Sequence, residues 1–187
     1  PLRPGFEDYA TLGITGVDAG AEAALLGDVV DARARVDVDT VAELQALADA
    51  VAGVLQAASD GSGADLQLLA AQLGTVLNRT VQAEGAELGL LVDALRGRDA
   101  QALASQETLQ SVVDAVDAVQ RAADGVRIPG APVGLTSEQF ATLGVSFPGI
   151  DAQQAPAAQA AAVRLLSDVV DGAQGVDVDT VAKLQAL

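Results

Sequence analysis

Residues 25–47, LLGDVVDARARVDVDTVAELQAL, recur without a gap as residues 165–187, LLSDVVDGAQGVDVDTVAKLQAL, with 17 of 23 positions identical. A repeat of that fidelity constrains the fold before anything else does, because whatever one stretch builds the other builds as well. The match extends upstream. Tyr9 followed by ATLG at 10–13 is echoed by Phe140 followed by ATLG at 141–144, and the later copy carries nine extra residues within 145–164. The middle of the chain scans as a diverged copy of the same paragraph: AEGAELGLLVDALRGRD at 83–99 resembles AGAEAALLGDVVDARAR at 19–35, and LQSVVDAVDAVQRAADG at 109–125 resembles LQALADAVAGVLQAASDG at 44–61. Three units are therefore expected, at 1–61, 62–127 and 128–187. The third is expected to be cut short at Leu187, about two turns into a helix that runs to about Asp60 in the first.

The periodicity inside each unit is helical. Val41, Leu44, Leu47, Val51, Val54 and Leu55 step by three and four, as do Leu109, Val112, Val113, Val116 and Val119. Leu25, Leu26, Val29 and Val30 share one face of the preceding segment, with Leu88, Leu91 and Leu95 as their middle-unit counterparts. No stretch beyond the short VDVD alternates in the manner of a strand. The core must be built from Leu, Val, Ile and Ala, since the chain holds one Tyr, three Phe and no Trp or Met. Small apolar side chains of that kind suit closely packed helices. The fold class is all-α: tandem three-helix bundle repeats joined by short linkers at 60–65 and 126–139, the second stiffened by Pro129 and Pro132.

Helix punctuation repeats with the units. Asp39 or Thr40 can start the third helix of the first unit. Thr40 with Glu43 has the T-x-x-E spacing of a capping box, in which each side chain satisfies the other residue's amide. Asp179 and Thr180 repeat the cap, but Lys183 stands where Glu43 stood. Thr136 or Ser137 can cap the first helix of the third unit, and Gly61 and Gly125 fall where a left-handed residue ends a helix. Tyr9 and Phe140 read as the large core side chain of each short first helix.

The composition argues against most chemistry. Neither Cys nor His occurs, and Lys183 is the sole lysine, so the usual nucleophiles, proton shuttles and Schiff-base formers are missing. No catalytic residue, cofactor or metal site is expected, and the chain is not read as an enzyme. Asp37 and Asp39, repeated as Asp177 and Asp179, invite calcium, but VDVDTVAELQAL supplies only the first pair of EF-hand ligands and lacks the glycine. DGSGADLQL at 60–68 fits part of a calcium-binding nonapeptide in one imperfect copy, and such motifs work only when stacked. The Asn78-Arg79-Thr80 sequon reads as a loop between helices. Ten basic against 26 acidic residues give a net charge of −16, which repels nucleic acid and anionic lipid alike. No apolar run is read as a membrane span and no signal peptide is seen at the N-terminus.

The order YATLGITGV, an Ala-rich helix with VVD, then VDVDTVAELQAL resembles the alanine-rich three-helix repeats that occur in tandem within very large bacterial surface proteins, including giant repetitive adhesins. Tyr9, Leu12, Gly13, Gly16 and Val17 carry the resemblance in the first unit, with Val36, Asp39, Thr40, Leu44 and Gln45; Phe140, Leu143, Gly144 and residues 176–185 carry it in the third. The middle unit departs from it and has no aromatic at the Tyr9 position. What the resemblance implies is an extracellular, non-catalytic spacer on a bacterial cell surface, projecting a distal binding domain in adhesion or biofilm formation. The expected partners are then neighbouring repeats of the same chain, and the fragment itself is expected to be a monomer. A small-bundle module gripping a host or matrix protein is the alternative, and it would expose apolar or Tyr and Arg anchors on one helix face. An intracellular oligomerisation scaffold would leave an apolar helix face unburied.

Overall fold

The computed structural model describes residues 4–18, 20–60, 66–81, 85–96, 98–126, 134–147 and 156–187. Gly61, Pro129, Pro132, the glycines of the first linker and most of the nine-residue insertion lie outside them. Every regular element among the described residues is helical. The order is α1 (Phe6–Thr11), α2 (Gly20–Asp31), a 3₁₀ turn (Arg35–Asp37), α3 (Val41–Asp60), α4 (Leu66–Leu77), α5 (Gly85–Leu95), a 3₁₀ turn (Ala100–Leu103), α6 (Gln106–Ala123), α7 (Ser137–Thr142), α8 (Pro156–Asp171), a 3₁₀ turn (Gly175–Asp177) and α9 (Val181–Ala186).

These elements pack into two compact units. The first comprises residues 1–83 and 95–110, the second residues 84–94 and 111–187. The residues of the middle sequence copy are divided between them: α4 and the turn Ala100–Leu103 belong to the first unit, most of α5 and α6 to the second.

In the first unit α3 packs against both α2 and α4, and the turn Ala100–Leu103 lies on α2 and α3. The contact with α4 is close enough that Gln72 of α4 lies over the backbone at Gly53 of α3. Leu25, Leu26, Val29, Val51, Val54, Leu69, Leu73 and Leu103 are buried together with Tyr9. Each fully buried side chain of that size contributes about 1.5–3 kcal/mol relative to exposure. In the second unit the buried set includes Leu90, Leu91, Val112, Val116, Phe140, Leu143, Val170, Val178 and Leu184. Phe140 meets Phe147 edge to face, with ring centroids 6.1 Å apart.

The apolar spacing seen in the sequence is the spacing that is buried: Leu109, Val112, Val113, Val116 and Val119 all point inward from α6. One stretch bears on the absence of an apolar run of membrane-spanning length expected from the sequence. Within α3, Val41–Ser59 is a 19-residue stretch long and apolar enough to cross a membrane by length and composition. Its mean hydropathy of 1.2 arises from the Ala and Val content of a helix whose Leu47, Val51, Val54 and Leu55 are buried within the first unit.

The short helices end by one device. Gly13 (φ +80°) follows α1 and Gly144 (φ +83°) follows α7 in the left-handed conformation. In the first case the Gly13 N–H donates to Ala10 O at 3.0 Å and the Ile14 N–H to Tyr9 O at 3.0 Å. In the second the Gly144 N–H donates to Ala141 O at 3.0 Å and the Val145 N–H to Phe140 O at 2.9 Å. This is a Schellman closure, in which the last carbonyls are satisfied and the following apolar residue folds back onto the helix. Ile14 and Val145 are both buried accordingly. The repeated ATLG is thus the sequence of a helix stop.

Candidate functional site

The most strongly repeated letters surround the start of the third helix in each copy. In the first, the Glu43 carboxylate accepts from the Thr40 amide at 3.0 Å and from its hydroxyl at 2.8 Å, while Thr40 Oγ1 accepts from the Glu43 amide at 3.2 Å. Those bonds to the ionised form hold the Glu43 carboxyl below its ordinary value. Asp39 is exposed beside this cap. In the last copy Thr180 Oγ1 still accepts from the Lys183 amide at 3.2 Å. The ammonium of Lys183 turns back to donate to Val176 O at 2.8 Å and sits 2.8 Å from Asp179 Oδ1, a close ion pair more than a directed hydrogen bond. The substitution of Lys for Glu therefore exchanges one tie across the loop for another. Between them, Ser105 Oγ accepts from the Thr108 amide at 3.2 Å, so a hydroxyl starts the third helix in all three copies. Of the two candidates before α7, Thr136 is the cap: its hydroxyl accepts from the Gln139 amide at 3.2 Å and the Gln139 side chain accepts from its amide at 2.8 Å.

A second repeated contact has no precedent in the reading of the sequence. Gln45 on α3 accepts from the Thr15 amide at 3.0 Å through Oε1 and donates to the Thr15 carbonyl at 3.0 Å through Nε2. Gln185 on α9 does the same to Ser146, accepting from its amide at 2.8 Å and donating to its carbonyl at 2.7 Å. A primary amide that pairs with both polar groups of one residue acts as a strand-like partner to an exposed loop backbone. The only signal available in the sequence was that Gln was retained after Leu44 and Leu184.

Tyr9 and Phe140 are buried, at 2% and 0% exposure. The Tyr9 hydroxyl is enclosed without a hydrogen-bond partner. Burial first, and the nearby Asp31 and Asp8 carboxylates second, raise its pKa. Arg33 reaches from the end of α2 to the last turn of α4, donating through Nη1 to Asn78 Oδ1 at 2.7 Å and through Nη2 to Thr75 O. The sequon asparagine is thus a helix-end acceptor, in a left-handed conformation of its own (φ +52°).

The second unit holds a cavity of about 550 Å³ whose polar lining comes from Glu87 of α5, Gln120 and Asp124 of α6, and Gln174 beside the last 3₁₀ turn. Burial and a hydrogen bond shared with Asp117 push the Glu87 carboxyl up to about 7, with Arg121 opposing and Asp124 adding to the shift. Gln120 is committed to structure, because its amide donates to Val178 O at 3.3 Å. No group of three or more Asp, Glu, His or Cys side chains among the described residues is arranged to hold a metal ion. What the cavity presents is a raised Glu87 carboxyl and an amide that ties down a turn, beside the turn Gly175–Asp177 where it meets α5 and α6.

No family model, no curated protein and no solved structure matches this chain.

Proposed function

We propose that the chain is a run of structural spacer repeats from a large bacterial surface adhesin, each repeat a three-helix unit, acting outside the cell without catalysis or cofactor to hold a distal binding domain away from the surface. The observation that carries the reading is the recurrence of one amide clamp, Gln45 on Thr15 and Gln185 on Ser146, at equivalent places in the first and last copies. Copies that share a ligand site keep the ligand's contacts. These copies keep a helix stop, a helix start and the clamp between them, which is what selection for a foldable repeat preserves. The net charge of −16 supports it further, since copies that repel one another stay soluble at high local concentration.

The test is incremental. Chains lengthened by one, two and three repeats are compared by small-angle scattering, and the maximum dimension is expected to rise by an equal step with each repeat. Growth that follows the compact scaling of a globule, roughly N to the power 0.38, sinks the spacer reading. Antibody labelling of intact cells that express the parent protein checks the location, and labelling confined to permeabilised cells removes the surface assignment.

A further inference from the structure

The three copies expose one helix face unequally. Aligned on their paired leucines, Ala21, Leu25 and Val29 of α2 correspond to Ala86, Leu90 and Ala94 of α5 and to Ala161, Leu165 and Val169 of α8. Each set is spaced by four and forms one stripe along its helix. In the first copy the stripe is covered, with Leu25 and Val29 at 0% exposure; in the second Leu90 is at 0%. In the third it is open: Leu165 is 67% exposed and Val169 37%, although 17 of 23 residues from this leucine pair onward are identical in the two copies.

In both cases a 3₁₀ turn of the following copy packs against the helix that carries the closed stripe. On α2 it is the turn Ala100–Leu103, together with α3, and Leu103 is fully buried. On α5 and α6 it is the turn Gly175–Asp177 and the start of α9. There the Asp93 carboxylate accepts from the Val181 amide at 2.8 Å and the Gln120 amide holds Val178 O. A β-carbon added at Gly89 would lie 3.0 Å from Asp179 O, and Val178 is fully buried. Leu103 and Val178 occupy one position of the repeat, and Val38 is its counterpart in the first copy. Val38 is only half-buried, and Val41 beside it is 52% exposed. The VDVDT segment is thus a knob that seats on the middle and third helices of the preceding copy. The first copy carries an unused knob and the last an unused seat.

From this repeated contact we infer that Ala161, Leu165 and Val169 form the docking face for a following repeat of the same polypeptide: the later turns of a third helix that continues α9, and then a knob centred on the Val38 or Leu103 position. The occupant's chemistry is that of the later turns of α3 and of the turn Ala100–Leu103, two elements that already pack on α2. The inference rests on the repeat reading above but not on the location or length of the assembly, so either can fail alone.

The experiment uses the absence of cysteine from the chain. Leu165→Cys is placed in the 187-residue chain and in the same chain extended after Leu187 by its own residues 48–126, a join that is in register because 176–187 repeat 36–47. Labelling of the introduced thiol is expected to slow at least about tenfold on extension, independently of protein concentration, and to recover when the appended copy carries Leu103→Asp. An unchanged rate in the extended chain overturns the proposal whether or not the added residues fold. Slowing that depends on concentration also overturns it, by assigning the face to a second chain. The contact is checked separately without any extension, through Ala94→Cys on the covered stripe of α5. Val178→Asp is expected to deprotect that thiol and Val176→Asp, at the exposed neighbouring position, to leave it protected. Equal effects of the two substitutions, or none, refute the knob.

Discussion

Glu87→Gln offers the sharpest test of how the second unit is held together. Glu87 on α5 is half-buried against Asp117, Arg121 and Asp124 of α6 and titrates at about 7, against an ordinary value of 4.5. A carboxyl raised in this way keeps its proton in the folded state while the unfolded chain has released it, so stability falls as pH rises between about 4.5 and about 7 and is level outside that window. The full shift corresponds to a ceiling of roughly 3.4 kcal/mol at about 1.36 kcal/mol per pH unit. Solvent screening of a half-exposed group reduces this to about 1 kcal/mol. The isosteric amide retains a donor for Asp117 and has no proton to lose. In urea melts from pH 4.5 to pH 8, Glu87→Gln is expected to match the parent chain at the acid end and exceed it by about 1 kcal/mol at the alkaline end, equivalent to about 4–8 °C for a unit of this size. Taking the difference between the two proteins cancels the other carboxylates. A difference that is constant across the series, or that grows toward acid, refutes a Glu87 carboxyl held protonated in the folded unit.

Three further outcomes follow from the geometry. Gln45→Ala and Gln185→Ala are each expected to cost about 1–2 kcal/mol by releasing both polar groups of the clamped loop residue, read by urea melts; Gln→Glu, which can accept but not donate, is expected to fall between the parent and Ala. Gly13→Ala and Gly144→Ala force a β-carbon into the left-handed region and are expected to cost about 1–2 kcal/mol each, whereas Gly5→Ala, at an ordinary φ, is expected to cost less than half of that in the same melts. Gly27→Ser is expected to stabilise the first unit by about 1–2 kcal/mol. Its β-carbon would stand 4.0 Å from the unpartnered Tyr9 hydroxyl with nothing else in contact, so Ser adds both helix propensity and a hydrogen bond, and Gly27→Ala in parallel isolates the propensity part.

Helix identity, helix ends and caps were readable from the letters because each depends on residues no more than four apart. Thr40 with Glu43, Gly125 in its left-handed conformation after α6, and the stepping of Leu109, Val112 and Val116 all express local geometry. The repetition carried that legibility from one end of the chain to the other. Contacts between distant residues were not readable in the same way. Nothing in the spacing of Glu87 and Asp117, or of Gln45 and Thr15, marks them as partners, since their approach depends on how separately formed helices pack. The VDVDT stretch shows both levels. Its role in starting a helix is written in its own residues, while the seating of its second valine on another copy's helices follows only from packing. Val178 is buried and Val38 is not, because the surface that covers a side chain belongs to a distant part of the polypeptide.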